Sequence, residues 1–381
     1  MYLTERLIAL SIYCIILFGF CLSITKIKYT RTQLFLYVVI LATMGYLYVP
    51  DSGSDLSRIV PLLPSYARMS WQEFLLNIQH YSTPMAGVYY HFIGKLNNSA
   101  HWLPAINAFI TFSMCFTVLY KSSKKYLLSK GLLSLLLFFF MSRGLLVMTI
   151  ANIRTMLALS ILGYCIYKEM LEGTSILKHL PLLIVASLFH ATAVAALLIY
   201  LTFVICYNLK SSKTLLTWIQ NGLALLVLGG SGGLYLHRAI MKGVNYVGRS
   251  QMGTGYFYIW EMVLSIFVLL LTLYVIMLFC TQKPWFQRVL TLGEKRFLWF
   301  MSCFAGFNLL SFIVEFNIGL RLSWLVTILD MPLFAMIFAN KTLSHTRFIR
   351  IKYTIFIVSL FILVLACARG HLCSLKFFEY L

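Results

Sequence analysis

Residues 175–207 read SILKHLPLLIVASLFHATAVAALLIYLTFVICY, and the architecture depends on whether this run is one helix or two. As one helix it would carry Lys210 and Lys213 across a membrane and reverse every later loop. As a hairpin turning near Phe189 and His190, it leaves six basic clusters on one side, at 26–31, 121–130, 168–178, 210–213, 283–296 and 341–352. A lysine- and arginine-rich cytoplasmic face is the dominant orientation signal in helical membrane proteins, so the hairpin is the expected form. Each limb has some sixteen residues, about 24 Å at helical rise, against about 30 Å of hydrocarbon. The tip therefore falls below the outer surface, where non-helical backbone is tolerated only in a protein-lined or watery cavity. That places His190 at the floor of an outward-facing pocket.

The rest of the chain agrees with a membrane setting. Of 381 residues, 61% are hydrophobic and 11% charged, and the mean hydropathy is +0.86, far outside the range of soluble domains. Apolar runs long enough to cross lie near 7–24, 34–49, 102–120, 131–150, 153–168, 214–236, 258–280, 297–316, 322–340 and 353–369. With the hairpin, these make an all-α polytopic protein of about twelve transmembrane or re-entrant helices, one membrane domain over 1–381 with both termini outside. Leu7 to Ile24 lacks a small-residue cleavage site and is expected to be the first span rather than a signal peptide. Two outer loops interrupt the pattern, at about 50–101 and 237–257. Within the first, the run 84–96 is too short to cross and is expected along, or dipping into, the outer interface, where Trp71, Tyr81, Tyr89, Tyr90 and Trp102 suit an aromatic belt. A net charge of +20 is compatible with nucleic acid in principle, but the basic residues form short clusters between apolar runs, so no nucleic-acid partner is expected. Nine cysteines show no CxxC or Cys/His spacing and suit packing, not metal or disulfides.

The chemistry-bearing signal is the identity of the outer cations. On this topology twelve of the 31 basic residues face outward and nine of those are arginine, whereas fourteen of the nineteen inner ones are lysine. Orientation requires positive charge only on the inside, and guanidinium grips phosphate or pyrophosphate bidentately where lysine acts as a point charge. Arg143 and Arg154 stand at the outer ends of the fourth and fifth spans, Arg321 begins the eleventh, and Arg249 lies in the second outer loop. Snorkelling to headgroups is the alternative for such residues, as pairing with Glu315 is for Arg321. Asp55, in GSD after the second span, suits either a base or a helix cap. His190 suits a catalyst or a satisfied core imidazole. Glu261 and Asp330, inside spans, suit polar contacts between helices. GGSGG at 229–233 lacks the GK[ST] ending of a phosphate loop.

Gly53-Ser54-Asp55, TPMAGVYYHFIGKLNN, NIRTMLALSILGYCIY with Arg154, LLIVASLFHATAVAALLIY with His190 and IGLRLSWLVTILDMPLF with Arg321 together resemble the EpsG family of Wzy-like exopolysaccharide and O-antigen polymerases. Leu56 departs from the aromatic that the family carries after the aspartate. The resemblance implies a GT-C-like membrane core in the bacterial plasma membrane, polymerising polyprenyl-pyrophosphate-linked repeats at its outer face, without cofactor or metal. Flippase and chain-length regulator proteins are the implied partners, beside the lipid-linked oligosaccharide and membrane lipids. Arg154 and Arg321, then Arg143 and Arg249, would hold pyrophosphate; Asp55 or His190 would be the base; Trp71, Tyr89 and Tyr246 would stack on sugars. The rival classes are a lipid-linked oligosaccharide flippase or other multi-pass transporter, a membrane acyltransferase and a glycan ligase. A transporter would show paired halves and midplane charges.

Overall fold

The computed structural model describes residues 2–49, 55–78, 83–97, 99, 101–209, 256–281, 290–314, 316–340 and 343–368, and every regular element among them is a helix. These are α1 (Tyr2–Lys26), α2 (Thr30–Tyr46), α3 (Asp55–Ile59), a 3₁₀ turn (Val60–Leu62), α4 (Leu63–Arg68), α5 (Trp71–Ile78), α6 (Pro84–Leu96), α7 (Trp102–Lys125) and α8 (Lys130–Ser142). There follow α9 (Leu145–Ala151), α10 (Ile153–Met170), α11 (Ile176–Phe189), α12 (Ala191–Leu209), α13 (Tyr256–Cys280), α14 (Leu292–Val314), α15 (Phe316–Ala339) and α16 (His345–Ala368). Among the described residues α7, α13, α14, α15 and α16 are long and apolar enough to cross a membrane, giving five candidate spans, or six if the bent pair α8–α9 is one. The chain is a multi-pass membrane protein. The described part of α1, with α11 and α12, is apolar but shorter. The expected span at 214–236 and nearly all of the loop 237–257 lie outside the described residues.

Local sequence explains several boundaries. Ser129 and Ser175 accept hydrogen bonds from the Leu132 and Leu177 amides and so cap α8 and α11. Reciprocal capping boxes start α5, between Ser70 and Glu73, and α14, between Thr291 and Glu294. In the expected span 131–150 the helix instead breaks after Arg143, because Gly144 takes a left-handed φ of 69° and α9 leaves at 49° to α8.

The centre of the bundle is α15, whose residues from Leu322 to Phe338 are all buried. Its contact with α10 requires a glycine: a Cβ at Gly163 would stand 2.8 Å from Ile328 Cγ2. Around this centre, Tyr13 Oη donates to the Met141 carbonyl at 2.7 Å, fastening α1 to α8.

Four basic clusters share one end of the molecule. Lys130 Nζ reaches the Ile27 carbonyl at 2.8 Å, Lys121 pairs with Glu172 at 3.4 Å, and Arg296 pairs with Glu169. These contacts draw together the clusters at 26–31, 121–130, 168–178 and 283–296. Both limbs of the 175–207 hairpin also return to this end. His179 of α11 lies beside Tyr164 of α10, ring centroids 6.3 Å apart, and Tyr200 of α12 donates to Glu169 at 2.8 Å. The chain folds back at His190, as the charge pattern requires.

Candidate functional site

Opposite the basic end, Arg154 and Asp55 meet across 99 positions of sequence, Nη2 to Oδ2 at 3.0 Å, with their side chains 26% and 22% exposed. Asp55 occupies the first turn of α3, and Arg154 is the second residue of α10. The free amides at the start of an 18-residue helix already favour an anion, and a guanidinium in that first turn adds to the attraction. Asp55 is the anion paired with that guanidinium. Tyr90 of α6 lies close to both. Burial pushes its phenol above the ordinary tyrosine range, with Arg154 opposing and Asp55 adding, so the hydroxyl keeps its proton at neutral pH.

The same helix connects the pair to the hairpin tip. Tyr89 packs against Phe189, ring centroids 5.8 Å apart, with His190 next in sequence. His190 is 9% exposed and extended, with φ −158° and ψ 137°, which separates α11 from α12. Its Nδ1 accepts the Thr192 amide at 3.1 Å. A backbone amide can only donate, so in the neutral ring the proton is on Nε2. Trp71 is 46% exposed and stands edge-on to His91 at 4.2 Å, while Phe74 stacks on the same imidazole at 4.6 Å. Burial first, and Lys95 second, hold the His91 ring below the ordinary histidine range.

Arg321 is partly exposed near the start of α15, on the side where α10 begins. Arg296 beside Glu169 sets the start of α14 at the end of α10, and Phe312 against Gly319 shows that α15 turns back along α14. Hence α10 and α15 run in the same direction. Counting from the Gly163–Ile328 contact at 1.5 Å per residue, Arg154 and Arg321 differ in height by only about 3 Å.

Arg143 is placed differently from Arg154 and Arg321. At the α8–α9 break it is 3% exposed, and its Nη2 donates to Ser265 at 2.7 Å and Ser323 at 3.0 Å, with Glu261 Oε2 at 3.9 Å. Among the described residues its Nε and Nη1 have no partner. It is enclosed by protein two residues from Arg321 along α15, rather than standing at the outer surface. Arg249 and Tyr246 lie outside the described residues.

Sequence reasoning gives Glu261 as a polar contact between helices and Tyr90 as part of an aromatic belt, and does not single out Ser265 or Ser323. The i,i+4 spacing of Glu261 and Ser265 on one helix face is the available signal. No group of three His, Cys, Asp or Glu among the described residues is placed to hold a metal ion.

The fold defines a multi-pass helical membrane protein, with an arginine–carboxylate pair at the end away from its described basic clusters. The chain belongs to the EpsG family, whose model matches residues 84–381. That match includes Arg143, Arg154, His190 and Arg321 and begins after Asp55. It gives the protein a role in exopolysaccharide biosynthesis. No curated protein and no solved structure matches the chain.

Proposed function

We propose that this protein is a polysaccharide polymerase, a glycosyltransferase that joins polyprenyl-pyrophosphate-linked oligosaccharide repeats at the outer face of the bacterial plasma membrane. About twelve spans in one polytopic domain with a GT-C-like core would house the reaction. The observation that supports this reading best is the Arg154–Asp55 pair at the start of α10, with Arg321 at nearly the same height.

The acceptor hydroxyl attacks the anomeric carbon, the bond from that carbon to the diphosphate oxygen breaks, and the hydroxyl proton passes to a base. Arg154 and Arg321 bind the departing diphosphate, and charge developing on it in the transition state is what such donors stabilise. Diphosphate arriving at Arg154 displaces Asp55 and frees that carboxylate to act as the base. His190 suits the role of donor better, because its Nδ1 already accepts from Thr192 and its Nε2 carries the proton. Tyr89, Trp71 and Tyr246 supply aromatic faces for sugars, with Arg249 a further diphosphate ligand. Arg143, beneath Arg321, supports the site through Ser323 and Ser265. A flippase and a chain-length regulator are the expected partners. Deletion of the gene followed by glycan analysis tests this reading. Single repeats on the outer lipid or cell surface are expected, whereas repeats held on the inner leaflet would instead identify a flippase.

A further inference from the structure

At the basic end, away from the site above, a cavity of about 340 Å³ opens between α1, α8 and α16. Its walls are aromatic: Phe18 and Phe138 lie 5.6 Å apart and Phe138 and Phe356 5.9 Å apart. Its floor offers no polar partner, because Ser134 Oγ donates to the Cys21 carbonyl at 2.7 Å and the Cys21 thiol points back to the Ser134 carbonyl. Its mouth is open at Gly131, where an added Cβ would meet nothing within 4 Å. Leu135, Tyr353 and the exposed Lys352 complete the lining, and Lys130 adjoins Gly131. No acidic residue occurs in α8, in α16 or in α1 beyond Glu5, while Lys26, Lys28, Arg31 and Arg350 add exposed positive charge at the same end.

An apolar slot about 10 Å long beside α8, from Gly131 to Phe138, with cations at its foot and, beyond Glu5, no acidic residue on the three helices that line it, matches a ligand with a hydrocarbon tail and an anionic head. The end that collects the basic clusters faces the cytoplasmic leaflet, whose anionic lipids are drawn to juxtamembrane lysine and arginine. We propose that this groove binds an anionic diacyl phospholipid of the inner leaflet, one acyl chain lying along Phe18, Phe138 and Phe356 and the phosphate at Lys352.

The test uses the full chain in neutral detergent micelles doped with either phosphatidylglycerol or phosphatidylcholine, with the thermal unfolding midpoint as readout. Phosphatidylglycerol is expected to raise the midpoint at concentrations where phosphatidylcholine does not. Lys352→Gln should weaken that response roughly fivefold in apparent affinity, the value of one lysine near an anionic headgroup. Gly131→Phe, which plugs the open mouth, should abolish it, and Lys124→Gln, on the exposed end of α7, should leave it intact. Should Gly131→Phe fail to fold, the comparison of Lys352→Gln with Lys124→Gln decides. Equal responses to the two lipids would overturn the assignment, as would equal losses in the two lysine variants or a full response in Gly131→Phe. Displacement of phosphatidylglycerol by a tenfold smaller amount of polyprenyl phosphate would overturn it too, since the groove would then belong to a substrate carrier.

Discussion

Replacing Arg154 with alanine should separate folding from function, because the two costs differ in size. The Arg154–Asp55 contact is 3.0 Å long but about a quarter exposed at each partner, so solvent screens it. Exposed ion pairs contribute about 0–1 kcal/mol and hydrogen bonds to charged groups about 1.5–3 kcal/mol, which sets the loss here near 1–2 kcal/mol. Set against a typical total stability of about 5–15 kcal/mol, the variant should still fold and reach the membrane. Loss of a donor to a departing anion costs about 10²–10³ in rate, or about 3–4 kcal/mol of transition-state stabilisation. In a host lacking its own copy of the gene, polymer should therefore vanish from glycan gels, while a fluorescent fusion reports unchanged protein in the membrane. Arg154→Lys should recover part of the activity, since it keeps the charge without the planar fork. Normal chain length in Arg154→Ala would refute the assignment. So would restored polymer in the neutral double variant Asp55→Asn with Arg154→Met, since the pair would then serve only to cancel its own charges.

Arg143→Met should cost about 1.5–3 kcal/mol, because it removes the buried guanidinium that donates to Ser265 and Ser323; an unfolding midpoint unchanged from wild type would show that the network holds nothing together. The α5–α6 pairing should weaken in acid. His91 has a depressed folded pKa, so its stabilisation is complete above the unfolded value of about 6.5 and is lost as pH falls through the folded value. Hydrogen-exchange protection factors in α5 and α6, taken relative to the intrinsic rate at each pH, should fall between about pH 7.5 and pH 5, and His91→Phe, which keeps a ring between Trp71 and Phe74, should remove that dependence; an equal fall in the variant would contradict it.

What the sequence determined was local in origin. Hydropathy marks the helices wherever one face or all faces are apolar, and the distribution of lysine around them orients the chain, because the cost of moving a cation across hydrocarbon is the same wherever it lies in the fold. For that reason the turn at His190 could be inferred from clusters at 168–178 and 210–213 without any tertiary contact. Arg154 could be singled out for a similar reason, as an arginine flanked by small apolar residues at a span end.

Tertiary structure decided which polar groups meet. Nothing in the order of residues says that Asp55 of a short outer helix lies 3.0 Å from an arginine 99 positions later, or that Tyr90 lies near both. Arg143 shows the difference most clearly. Residues 131–150 form one apolar run and suggest one straight helix with Arg143 near its outer end, yet Gly144 adopts a left-handed turn and α9 departs at 49°. The guanidinium is thereby surrounded by Glu261, Ser265 and Ser323 from two other helices. Whether a charge in a membrane protein faces water or neighbouring helices depends on which bonds compensate its desolvation, and those partners are brought together only when the helices pack.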